Sequence, residues 1–170
     1  FRSLVAVDID PLAGILLRRR LGRARFVRGD FFRRLENRGW DLGRAVSELG
    51  AGKSPVVLFS NVLGQLGFLH GERRMAEIGR GLSAAFRGRV PWVSFHDRFS
   101  IASSSAPSSG LEFPKRPSSG ELARAWGVGG EIEEHEIGEW VEAARGPFGY
   151  LDWRLEPRRT QPIEVCSREA

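Results

Sequence analysis

Within eight residues, Leu4-Val5-Ala6-Val7-Asp8-Ile9-Asp10-Pro11, the chain passes from an apolar run to a carboxylate and then to an acid-proline pair. This is a strand handing over to a helix. Asp10 suits the N-cap, where its side chain can accept a hydrogen bond from a free amide of the first turn. Pro11 suits the first helical position, where its missing N–H costs nothing. Asp8 is then left at the carboxyl end of the strand. That is where open α/β sheets bind ligands, and an acid there can accept the hydroxyl protons of a ribose. Its plainer role is to hold the turn, and the segment by itself leaves both roles open.

The same handover recurs along the chain. Leu12, Ile15 and Leu16 recur at helical spacing, so a helix is expected over about 11–21, stopped by Gly22. Ala24 to Arg28 reads as a short strand ending at Gly29-Asp30, and 31–52 as a turn followed by a helix over about 41–50. The continuous apolar run Val56–Ser60 predicts a central parallel strand covered on both faces. Met75, Ile78, Leu82 and Phe86 form the core stripe of a helix over 72–87, and Val90–Phe95 is a further strand that ends at His96-Asp97. This alternation predicts an α/β, Rossmann-like, mostly parallel sheet with helices on both faces. From 100 to 120 the serine, proline and glycine content implies a long flexible loop. A short helix over 121–126 and a strand then helix within 131–145 follow. Tyr150–Leu155 and Pro162–Cys166 alternate with period two, which predicts a C-terminal antiparallel β-hairpin. With 170 residues and 41% hydrophobic composition, one domain over 1–170 accounts for the length.

Net charge is +5, and Lys53 and Lys115 are the only lysines, so arginine carries the basicity. Its densest run, Arg18-Arg19-Arg20 with Arg23 and Arg25, sits on and after the first helix. A solvated face explains that run better than a nucleic-acid site does. A single cysteine, Cys166, excludes an intramolecular disulfide framework and a cysteine-rich zinc site. No apolar stretch approaches a membrane span, and no secretory h-region opens the chain. A cytoplasmic protein without a membrane partner is the expectation.

Strand-end acids in this order, closed by an antiparallel hairpin, resemble the class I S-adenosylmethionine-dependent methyltransferases. The segment Val5–Pro11 resembles the end of that family's second strand, whose acid binds the cofactor ribose, and this role falls by position to Asp8, with Ile9 beside it. Arg28-Gly29-Asp30-Phe31 resembles the end of the third strand, which places Asp30 at the adenine amino group and Phe31 against the ring. Phe59-Ser60-Asn61-Val62-Leu63-Gly64 is similar to the fourth-strand segment between cofactor and substrate, which implies contacts from Ser60, Asn61 and Val62. The resemblance implies S-adenosylmethionine as cofactor and a small-molecule or protein methyl acceptor. Nucleobase amino-methylation is disfavoured, because the acid or asparagine followed by two prolines and an aromatic is not found at Ser60–Leu63. The family's first strand and glycine-rich loop should precede Asp8 by roughly twenty residues, yet seven residues precede it. The expectation is therefore an N-terminally truncated domain or one that has lost its cofactor site. Gly127-Val128-Gly129-Gly130 reads as a helix stop, not as a relocated loop.

His96 and Asp97, expected at the rim after the fifth strand, are the candidate catalytic pair, with the histidine as general base. Glu133-Glu134-His135-Glu136 resembles a metal cluster in composition alone, since no second histidine stands at ligand spacing, so no metal is expected. Ser60 lacks the G-x-S-x-G elbow of a hydrolase nucleophile. Two rivals remain: a degenerate, non-catalytic methyltransferase-like interaction module, and a nicotinamide-dependent oxidoreductase.

Overall fold

The computed structural model describes residues 4–22, 24–50, 54–60, 72–101, 110–127, 132–135, 144–145, 147–156 and 159–168. The chain opens with β1 (Val5–Asp8), α1 (Pro11–Leu21) and β2 (Arg25–Arg28), with β1 and β2 paired in parallel from Val5↔Arg25 to Asp8↔Arg28. Asp10 caps α1 by accepting from the Leu12 amide at 2.8 Å, with Pro11 at the first position, as the sequence predicts. The α1 helix can lie close to β2 because Gly14 has no side chain: a Cβ there would sit 2.6 Å from the Phe26 ring.

Next come α2 (Phe31–Asn37), α3 (Leu42–Ser47), β3 (Val57–Ser60) and α4 (Glu72–Phe86). The turn between α2 and α3 carries two consecutive left-handed residues, Gly39 at φ 61° and Trp40 at φ 63°. A tryptophan in that conformation is uncommon and strained. Its indole presses on α4 at Gly81, where a Cβ would come within 2.1 Å of the ring. The α4 stripe Ile78, Leu82 and Phe86 is buried as expected, with Met75 packed at its margin.

The second half holds β4 (Trp92–Asp97), β5 (Phe99–Ile101), β6 (Leu111–Phe113), α5 (Ser119–Trp126), β7 (Ile132–Glu134), β8 (Phe148–Glu156) and β9 (Arg159–Arg168). A capping box between Ser118 and Glu121 starts α5, and Gly127 at φ 74° ends it. The expected terminal hairpin is present as β8 and β9, and β9 also pairs antiparallel with β4 from Trp92↔Arg168 to Asp97↔Ile163.

The sheet itself corrects the sequence reading. A mostly parallel Rossmann-like sheet is not what forms: β1 and β2 make a small parallel sheet of their own, and the larger sheet is mostly antiparallel. Only β3 and β4 pair in parallel within it, while β5–β7, β5–β9, β6–β8, β4–β9 and β8–β9 are antiparallel. One residue, Arg98, separates β4 from β5, which leaves no room for the crossover helix a parallel connection needs. Nor is β3 a central strand covered on both faces. It lies at one end of the strand order, and Val56 and Leu58 beside and within it are exposed. No described helix is long and apolar enough to cross a membrane.

Candidate functional site

Asp8 and Asp30 emerge from neighbouring parallel strands at the same, carboxyl, end, and both are exposed. The Gly29 amide donates to the Asp8 carbonyl at 2.9 Å, which holds the two turns together. Each side chain commits one oxygen to local structure. Asp8 Oδ1 accepts from the Asp10 amide at 2.8 Å. Asp30 Oδ1 caps α2 by accepting from the Phe32 and Arg33 amides at 2.8 and 3.1 Å. The second oxygen of each carboxylate makes no hydrogen bond among the described residues. Ile9 is exposed beside Asp8.

Phe31 is placed differently from the expectation. It turns inward, with its ring centroid 6.0 Å from that of Phe59. The neighbouring aromatic takes the outer position: Phe32 joins Asp30, Arg33, Glu36, Trp40, Arg74 and Ile78 around a cleft of about 220 Å³. Arg74 closes one side of it through a two-armed contact with Glu36 at 2.9 and 2.8 Å, which holds the Glu36 carboxyl below its usual range. The pattern Phe32, Glu36 at (i, i+4) on a helix begun by Asp30 could have revealed this face, had 31–40 not been read as a turn. Ser60 ends β3 exposed, and Asn61 and Val62 lie outside the described residues.

His96 and Asp97 are not beyond the strand but are its last two residues, and the alternation of β4 points His96 inward with Trp92 and Ser94. His96 is fully buried. Its Nδ1 lies 3.1 Å from Ser94 Oγ, and its Nε2 lies 3.3 Å from Glu164 Oε1, its cross-strand neighbour. The grouping has the composition of a hydrolytic triad, but all three residues have zero exposure, so no substrate reaches them in this state. A second serine–histidine contact, Ser100 Oγ to His135 Nε2 at 2.9 Å, ties β5 to the end of β7.

Glu164 is the centre of a larger buried network. Its Oε2 accepts from Arg98 at 3.0 Å, from Arg116 at 3.3 Å and from the Tyr150 hydroxyl. Arg98 also donates to the Pro117 carbonyl at 3.2 Å and to Glu134 at 2.7 Å. One carboxylate thereby ties together β4, β8, β9, the β4–β5 corner and the segment before α5. Burial would push the Glu164 carboxyl up, but the His96 imidazole 3.3 Å away and the Arg116 charge outweigh it and hold it at about 2. Burial and the same carboxylate push the Tyr150 hydroxyl and the Cys166 thiol up, which keeps both neutral. This cluster leaves no signal in the sequence, since polar residues alternating in a strand read as the wet face.

Comparison with protein-family models, with curated proteins and with solved structures finds no match to this chain.

Proposed function

We propose that this protein binds the nucleoside of S-adenosylmethionine at the Asp8–Asp30 rim and serves methyl transfer to a small-molecule or protein acceptor. The observation that carries the reading is the spare oxygen on each of two exposed carboxylates at one end of a parallel strand pair. Asp8 would take the ribose hydroxyls, because a carboxylate oxygen free of the turn can accept from a diol. Asp30 would take the amino group of the base, and the half-enclosed cleft it borders, with Phe32 and Trp40 on its walls, offers an aromatic lining for a planar ring. The cofactor would supply an activated methyl on a sulfonium. The chain's own residues would hold the nucleoside in place and leave the acceptor to approach in line. His96 has no part as general base in this arrangement, because it is enclosed.

That enclosure favours a second reading, a non-catalytic module that keeps the methyltransferase-like order of acids as turn and cap residues. Calorimetry with S-adenosylhomocysteine separates the two. Binding by the wild-type protein that is lost in D8A, with the melting curve retained, supports the cofactor role. No heat with the wild-type protein leaves the structural role of the two aspartates as the better account.

A further inference from the structure

The cleft beside Asp30 is lined by residues of α2 and α4, and Trp40, from neither helix, shapes one wall of it. Arg74, Ile78 and Gly81 recur at i, i+4 and i+7, so they share one face of α4. Arg74 and Ile78 line the cleft, while Gly81 is where the Trp40 indole comes to rest. The atoms nearest the space a Gly81 Cβ would take are Cδ2 and Cε2 of the indole, equally close, followed by Cε3. Cδ2 and Cε2 are the ring-fusion carbons, and a point equally near both lies over the flat of the ring, not at its edge. One face of the indole is therefore laid on α4. Gly81 is not part of the cleft lining whereas Trp40 is, so the cleft borders the ring from another side. Trp40 keeps this pose against a local cost. Its φ of 63° is one that a bulky side chain rarely adopts. The Leu35 carbonyl accepts from the Trp40 amide at 2.9 Å, and the next residue, Asp41, caps α3, so the turn is fixed on both sides. Strained residues persist where their surroundings over-determine them, and they cluster at binding sites. Among the described residues the indole N–H makes no hydrogen bond and the ring pairs with no other aromatic.

We propose, resting on the nucleoside reading above, that Trp40 is the platform on which the ligand's base stacks, and that it makes the cleft select a bicyclic purine over a single-ring base. Asp30 and Trp40 then have separate tasks. The carboxylate accepts from an exocyclic amino group, which adenine and cytosine both carry, so it does not tell the two apart. The indole responds to the area of ring laid on it. Being bicyclic, it overlaps a purine more fully than a pyrimidine, and base preference on an aromatic platform follows stacking strength. Phe32, the other aromatic of the cleft, is already engaged, since its ring meets that of Phe31 edge to face with centroids 6.5 Å apart. Gly81 is the positioning residue, because any side chain there lifts the indole off its seat.

The test is calorimetry on the full chain with adenosine and cytidine as probes beside S-adenosylhomocysteine. The wild-type protein should bind adenosine more tightly than cytidine. W40A should weaken adenosine by roughly 5- to 150-fold, the loss expected when a ring is removed from under a base, and should bring the two nucleosides close to parity. W40F, which keeps a smaller ring, should fall between, and G81A should weaken adenosine as the indole is displaced. A purely structural Trp40 would lower both nucleosides alike and leave their ratio unchanged. Melting curves show which variants are folded, and W40F and G81A decide the matter where W40A is not. Equal affinity of the wild-type protein for the two nucleosides, or an unaltered ratio in the folded Trp40 variants, overturns the platform. D8A separates this outcome from the ribose contact. Loss of S-adenosylhomocysteine in D8A with W40F and G81A at wild-type affinity removes the platform and keeps the nucleoside reading. Loss in the Trp40 variants with D8A unchanged keeps the platform and removes the role of Asp8. No heat with any of the three ligands overturns both.

Discussion

The β1–α1–β2 unit and the β4–β9–β8 sheet bury opposite kinds of residue. In the first, Leu4, Ile9, Leu12, Ile15, Leu16 and Leu21 are all exposed, and the one buried residue of α1 is Gly14. In the second, a glutamate and a histidine are enclosed at zero exposure beside Trp92, Tyr150, Phe99 and Ile101. Burial here follows what each region packs against, not the polarity of its residues. The small unit is held by local devices: the Asp10 cap, the ladder between two strands and the approach allowed by Gly14. The larger region is held by a continuous core together with a charge network whose cost is offset because its members have partners.

Removing the centre of that network should break the contrast most. Glu164→Gln leaves Arg98 and Arg116 without their shared counter-charge, and a loss of ~3–5 kcal/mol in denaturant unfolding is expected. The pH dependence carries a signature of the same residue. Because the folded carboxyl is held at about 2 against an ordinary 4.5, its contribution is complete above 4.5 and fades as pH falls towards 2. The stability gap between wild type and E164Q should therefore narrow across that window. A gap that stays constant would show that charge is not what Glu164 contributes.

The next largest effect is a paired one. Leu82→Ala, at a fully buried position of α4, should cost ~2–5 kcal/mol. Leu16→Ala, the same change on exposed α1, should stay within ~0.5 kcal/mol in the same assay. Comparable losses at both positions would mean that α1 is covered in solution. Between these lies Gly81→Ala, whose new methyl meets the Trp40 indole. A cost of ~1–3 kcal/mol and a red shift of tryptophan emission are expected as the ring is displaced.

The long periodic segments were legible in the sequence. The α1 boundaries, the α4 core stripe, the α5 end at Trp126 and the terminal hairpin all follow from spacing and capping residues that act locally. What was missed has physical reasons. The α2 helix begins at Phe31 with Asp30 as its cap, so the residue read as a ligand at a strand end also starts a helix, and two adjacent phenylalanines masked its period. The strands β5, β6 and β7 are three residues each, too short to show alternation, and they fall where composition suggested loop or gave a weak pattern. The antiparallel character of the larger sheet follows from their pairing and from the direct run of β4 into β5. Of the candidate site, the shared rim of Asp8 and Asp30 was readable from two strand–acid handovers. The inward turn of Phe31 and the enclosure of His96 were not, since each depends on a partner distant in sequence, Phe59 in one case and Glu164 in the other.

The most direct test of the nucleoside site is the amide spectrum of the ¹⁵N-labelled protein, recorded while S-adenosylhomocysteine is added. The account predicts saturable shifts concentrated at Ile9, Asp10, Gly29, Phe31 and Phe32, around the two carboxylates, with the amides of β8 and β9 unmoved. A spectrum that does not change at the rim, or that changes only elsewhere, would contradict it.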